Sequence, residues 1–177
     1  AELKALLAKL KSPWLGANLD SRSGSPQATL KDAVRVLQAL SDYSVVASSM
    51  WRSSPVDCPP GSPDFVNAVV AMLPRTSANP FSLLSSLQQV EADFGRVRKE
   101  IQNAPRTLDL DLLVCGNTIM NTAELELPHP RLHLRGFVLA PLVEIAPGYV
   151  PPGQSLNVEA LLKAHEAARS FMSLLMP

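Results

Sequence analysis

From Thr107 to Leu113 the chain reads Thr-Leu-Asp-Leu-Asp-Leu-Leu. A leucine–aspartate alternation with a period of two admits an extended strand and little else. Leu108, Leu110 and Leu112 take one face of that strand, and Asp109 and Asp111 take the other. Alternate residues of a strand lie about 6.6 Å apart, so the two carboxylates can converge on a metal pair of about 3.5–4 Å separation. Hard oxygen donors of this kind favour Mg²⁺ or Mn²⁺ over Zn²⁺. A bare Asp-x-Asp is also, and more commonly, a half-buried strand with a solvated polar face. The rest of the chain has to decide between the two.

The 177 residues suffice for one domain with a sizeable core, so 1–177 is read as a single domain, with 1–13 an atypical helical segment at its start. Sixteen lysines and arginines balance sixteen acidic residues. Nothing global therefore steers the chain to nucleic acid or an anionic membrane, and any anion must be caught locally. Cys58 and Cys115 follow no metal spacing and suit a reducing compartment. With no apolar run of membrane-spanning length and no signal-peptide pattern, a soluble, cytoplasmic protein is expected, and it is read as a monomer.

Leu3, Leu6, Leu7 and Leu10 have helical spacing, and Pro13 ends that helix. Ser25 and Asn79 are each followed by proline, the pairing expected of a helix N-cap and first turn. Helices are predicted from Pro26, with Leu30, Ala33, Val34, Leu37 and Leu40 inward, and from Pro80, with Leu83, Leu84, Leu87, Val90 and Phe94 inward and Gly95 at the end. Tyr43–Trp51 and Phe65–Leu73 read as strands, and the proline-rich 52–63 between them reads as a long functional loop. Asn67 interrupts the second strand with an amide that offers donors and acceptors. After Gly116-Asn117, short strands are expected through Met120 and through Leu125–Leu127. A helix carrying Phe137, Leu139, Leu142 and Val143 follows, then a terminal helix over 156–175. Strand, helix, strand, strand, helix, strand is the order of an α+β fold, a ferredoxin-like α/β sandwich with an antiparallel sheet and C-terminal additions.

Arg96, Arg98, Lys99 and Arg106 lie directly before the two aspartates. A solvated loop is the ordinary reading of such a run, but metal-binding carboxylates beside phosphate-reaching cations are what phosphoryl transfer needs. The glycine-rich phosphate loops Gly-x-x-x-x-Gly-Lys-Ser/Thr and Gly-x-Gly-x-x-Gly are absent from the sequence. A nucleotide would then be held by metals and arginines. A ferredoxin-like RNA-binding module would want paired surface aromatics and a basic face, which 5% aromatic residues and zero net charge do not supply.

Gly95-Arg96-Val97-Arg98-Lys99, Pro105-Arg106-Thr107-Leu108-Asp109-Leu110-Asp111-Leu112, Leu127-Pro128-His129 and Arg135-Gly136-Phe137, in this order, resemble the 6-hydroxymethyl-7,8-dihydropterin pyrophosphokinases of folate biosynthesis. The resemblance implies transfer of diphosphate from ATP to the pterin hydroxymethyl group, with release of AMP and two Mg²⁺ ions bound. Asp109 and Asp111 match the metal ligands, and Arg96 and Arg98 match loop arginines that close on the triphosphate. Gln88, Glu91, Arg106, His129 and Arg135 match nucleotide positions. Ser53, Ser54, Pro55 and Val56 match a pterin-side loop, Phe65 and Phe137 an aromatic pair around the ring, and Asn67 the amide that reads its edge. The family usually carries a short apolar strand before Leu-Gly-Ser-Asn, whereas Lys9-Leu10-Lys11-Ser12-Pro13-Trp14 precedes Leu15-Gly16-Ala17-Asn18 here. Proline is unsuited to a central strand, so that strand is expected to shrink to Trp14–Leu15 or to be altered. A relative that binds nucleotide or pterin without turnover is the alternative this start suggests.

Overall fold

A computed structural model describes residues 11–17, 24–54, 60–74, 79–95 and 107–175, with backbone only for 11–17 and 170–175. The elements are β1 (Lys11–Ala17), α1 (Pro26–Ala39), β2 (Val46–Ala47), β3 (Trp51–Ser53), β4 (Phe65–Ala71), α2 (Pro80–Asp93), β5 (Asp109–Cys115), β6 (Met120–Asn121), β7 (Glu126–Leu127), α3 (Gly136–Ile145) and α4 (Val158–Leu175). All described strand pairs are antiparallel. The main sheet runs β2–β4–β1–β5, with β3 also on β4, so β1 is central and β5 lies at the end of the row.

The two helix starts follow from their caps. Ser25 Oγ accepts from the Ala28 N–H at 3.3 Å, and Asn79 Oδ1 accepts from the Ser82 N–H at 2.9 Å, each with proline in the first turn. Leu30, Ala33 and Leu37 of α1 and Leu83, Leu87 and Val90 of α2 bury against Val66, Ala68 and Val70 of β4 and Leu108, Leu110 and Leu112 at β5. This is the leucine face of the alternation, as its period requires.

The opposite face carries Asn67, Val69, Asp109 and Asp111. Beyond them a second core forms from Val69, Leu113, Val114, Leu132, Val138, Leu139, Leu142, Tyr149, Val158 and Leu161, which seats α3 and α4. The C-terminal elements thus cover part of the aspartate face and leave the rest open.

The start of the chain departs from expectation. Lys11–Pro13 belongs to β1 rather than to a helical segment over 1–13, and the remainder of that segment, 1–10, lies outside the described residues. Proline survives in this central strand because the register slips beside it: Ser12 faces Val114 and Pro13 faces Leu112, so Leu113 is an extra residue on β5. A bulge is where a strand tolerates a residue with no N–H to donate. Leu113 and Val114 consequently share one core while Cys115 returns to the other.

The strand expected over Tyr43–Trp51 is broken in two. At the break Ser48 keeps contact with β4: its N–H donates to the Val69 carbonyl at 2.9 Å, and its Oγ accepts from the Val69 N–H at 3.0 Å.

Candidate active site

β5 presents Asp109 and Asp111, both half-buried, on the face turned toward α3. The strand is held from its outer edge by Glu91 of α2. This residue is only 4% exposed, and its Oε1 accepts from the Leu110 N–H at 2.6 Å, between the two aspartates. A short bond to a buried carboxylate is charge-assisted and strong. Gln88 lies on the same helix, and neither it nor Glu91 is among the described residues that line the cleft below.

The bulge at Leu113 has a second effect. Its carbonyl accepts from the His129 N–H at 2.8 Å, which ties the segment after the cis Leu127–Pro128 bond to β5. His129 Nε2 then lies 3.7 Å from Asp111 Oδ2, and Arg135 Nη1 lies 3.9 Å from the same oxygen. His129 Nδ1 accepts from the Arg131 N–H at 3.1 Å, which leaves the proton on Nε2, facing the carboxylate. Burial, followed by the positive charges of Arg135 and Arg131, lowers the His129 pKa from 6.5 to about 4. The ring is therefore neutral at physiological pH.

Arg135 joins this carboxylate site to an aromatic one. Its guanidinium carbon lies 5.5 Å from the centre of the Phe137 ring, within cation–π range. On the neighbouring strand Asn67 is 1% exposed, and its Nδ2 donates to Ser53 Oγ at 2.8 Å and to the Trp51 carbonyl at 3.4 Å. A carbonyl only accepts, so the amide nitrogen must face it. That orientation leaves Asn67 Oδ1 buried with no hydrogen-bond partner, and Thr107 Oγ1, two residues before Asp109, is in the same state. An orphaned buried acceptor costs about 1–3 kcal/mol, so Asn67 Oδ1 has the capacity to accept from an incoming N–H. Phe65 begins β4 opposite Ser53, two residues before Asn67.

A cleft of about 730 Å³ opens beside these groups. Trp51–Ser54 form one side, Arg131 and Leu134–Phe137 a second, and Leu162, His165, Glu166 and Arg169 of α4 a third. Trp51 is fixed by Glu144 of α3, whose carboxylate accepts from the Trp51 Nε1–H at 2.6 Å and the Ser49 N–H at 2.7 Å. The Ser49 bond, aided by Trp51, lowers the Glu144 pKa.

The structure thus brings together Asp109, Asp111, His129 and Arg135, links Arg135 to Phe137, and links Asn67 to Ser53. Arg96, Arg98, Arg106, Pro55 and Val56 lie outside the described residues. Sequence reasoning missed Trp51, Arg52, Arg131, Glu144 and the α4 residues. Arg131 had a signal in its spacing from His129 and Arg135; the others are joined only by the fold.

No group of three or more His, Cys, Asp or Glu side chains arranged for a metal occurs among the described residues. Two carboxylates nevertheless fit Mg²⁺, which commonly takes one or two protein carboxylates and completes its shell with phosphate oxygens and water.

Residues 14–147 match the family model described as 7,8-dihydro-6-hydroxymethylpterin-pyrophosphokinase. The chain is 38% identical over 149 residues to the 2-amino-4-hydroxy-6-hydroxymethyldihydropteridine pyrophosphokinase of Synechocystis, covering 84% of this chain and 72% of that protein. To the enzyme of the same name from Haemophilus influenzae it is 39% identical over 146 residues, 82% of this chain and 86% of that protein. In structure it is similar to a triple mutant of Plasmodium falciparum HPPK-DHPS with pteroate, with a TM-score of 0.70 at 10% identity, covering 92% of this chain and 44% of that one. At that identity the structural likeness concerns the fold.

Proposed function

Since the chain belongs to the 7,8-dihydro-6-hydroxymethylpterin-pyrophosphokinase family and is an ATP-dependent diphosphokinase of folate biosynthesis, we propose that its cleft and aspartate pair transfer diphosphate from ATP to the hydroxymethyl group of 6-hydroxymethyl-7,8-dihydropterin. The observation that carries this is the junction at Arg135, 3.9 Å from Asp111 on one side and over the Phe137 ring on the other. One residue there serves both a phosphate site and a site for a flat ring.

In the reaction the hydroxymethyl oxygen bonds to the β-phosphorus of ATP. The bond from that phosphorus to the oxygen shared with the α-phosphate breaks, AMP leaves, and the hydroxyl proton passes to solvent. Asp109 and Asp111 would hold two Mg²⁺ ions, which neutralise phosphate charge and orient the triphosphate. Arg135 adds a fixed positive charge, and neutral His129 presents its Nε2–H toward Asp111 without adding a second. Arg96, Arg98 and Arg106 are assigned to binding the triphosphate, and Gln88 and Glu91 to the nucleotide side. For Glu91 that role runs through the placement of β5.

On the pterin side, Phe137 with Phe65 supplies stacking, and Asn67 Oδ1 accepts from the N–H edge of the ring. Ser53, Ser54, Pro55 and Val56 are assigned to the pterin side of the site. The ferredoxin-like reading rests on the order of the four sheet positions with β2 and β3 counted as one broken strand. We further read 1–177 as one domain acting as a cytoplasmic monomer; no helix among the described residues is long and apolar enough to cross a membrane.

Incubation with ATP, Mg²⁺ and the hydroxymethyl dihydropterin should yield AMP and the pterin diphosphate in equal amounts. ADP instead of AMP, or no pterin-dependent turnover, would overturn the proposal.

A further inference from the structure

Helix α4 starts at Val158, beyond the 14–147 stretch that the family model matches, yet Leu162, His165, Glu166 and Arg169 line the same cleft as Arg135 and Phe137. Its first turns dock on α3 through Val158 and Leu161 packed with Leu139 and Leu142. Farther along, the contact becomes specific. A β-carbon at position 136 would lie 2.9 Å from His165 Nε2 and 3.0 Å from its Cδ2, so the imidazole fills the space that the missing side chain of Gly136 leaves. Gly136 does not have a positive φ, so the glycine is needed here for room rather than for backbone conformation.

Gly136 is the residue between the two groups that join the carboxylate and aromatic halves of the site. Arg135 is the N-cap residue of α3, and no side chain caps the helix start there. The direction of the Arg135 and Phe137 side chains is then set by how the first turn of α3 is packed. Val138 and Leu139 seat that turn in the core, and His165 packs against it from the cleft side at Gly136.

We propose that His165 is a positioning residue: seated on Gly136, it fixes the first turn of α3 and thereby the placement of Arg135 and Phe137 toward the substrate. This rests on the diphosphokinase reading of the cleft. It makes α4 a wall of the active site whose contribution is orientation, with no contact to the reacting atoms required.

The test is a double-mutant cycle. His165→Ala removes the imidazole, Gly136→Ala displaces it by adding a β-carbon, and the two are combined. Each single variant should raise KM and Kd for the hydroxymethyl dihydropterin about tenfold, a loss typical of a modest misplacement of binding groups. Because both changes break the same contact between His165 and Gly136, the double variant should be no worse than either single one. A role confined to stability would lower the melting temperature and leave KM of the folded protein unchanged. Should His165→Ala not fold, Gly136→Ala carries the test, since it retains His165 and only shifts its ring off position 136. Unchanged KM and Kd in the folded variants, or effects that multiply in the double variant, would overturn the proposal. Pterin-dependent AMP release by the wild-type enzyme, measured alongside, separates that outcome from a failure of the functional reading.

Discussion

Glu91→Ala should loosen the strand that carries the aspartates. The carboxylate is buried on α2, and its Oε1 holds the Leu110 N–H at 2.6 Å on the outer edge of β5. A hydrogen bond to a charged group contributes about 1.5–3 kcal/mol, and the truncation also strands a buried backbone N–H and leaves a small void. A loss of about 3 kcal/mol follows, or roughly 6–12 °C in melting temperature at this chain length. Glu91→Gln keeps an acceptor oxygen in the same place and should lose about half as much, because only the charge assistance goes. Thermal unfolding followed by circular dichroism reads both variants, and titration with Mg²⁺ and a non-hydrolysable ATP analogue reads the consequence for Asp109 and Asp111. Binding should weaken in the same order, alanine more than glutamine. A drop below about 2 °C for the alanine variant would refute the idea that this bond sets the strand.

His129 predicts a pH dependence in the ligand-free protein. Its native pKa of about 4 lies below the 6.5 of the unfolded chain, so between these values the unfolded state binds the extra proton. The stability linked to it is complete above pH 6.5 and is lost as pH falls toward 4, by about 3 kcal/mol in all. Chemical denaturation at pH 7.5 and 4.5 should show wild type losing markedly more than His129→Asn; equal losses would contradict the buried neutral ring. For Asn67, removing the unpartnered Oδ1 with Asn67→Ala should weaken pterin binding about tenfold or more. Isothermal titration with the dihydropterin in the presence of an ATP analogue measures this, and unchanged affinity would argue that Asn67 serves the fold alone.

The parts of the fold that were legible in the sequence are those set by local rules. The Leu-Asp alternation determines β5 and its two faces, and Ser25-Pro26 and Asn79-Pro80 mark helix starts because cap and first turn are neighbours in the chain. β1 was hidden because its compensation lies elsewhere: Pro13 is tolerated through an extra residue, Leu113, on the partner strand. The same bulge supplies the carbonyl that anchors His129, a link no spacing rule reports. Glu144 escaped notice for a similar reason, since it is bound to Ser49 and Trp51 across more than ninety residues of sequence. For α4, the apolar stripe says which side is buried but not that His165 meets Gly136 or that Arg169 reaches the cleft.

The central claim is that Asp109 and Asp111 work as a metal-holding pair in diphosphate transfer. The direct measurement is AMP release from ATP and the hydroxymethyl dihydropterin at saturating Mg²⁺, for wild type, Asp109→Asn and Asp111→Asn. Each amide variant should lose at least about 10²-fold in turnover, as expected when a charge at a metal-centred site is removed. Their unfolding should change little by comparison, since both side chains are half-exposed on the open face of β5. Near-normal turnover in both variants would contradict the account.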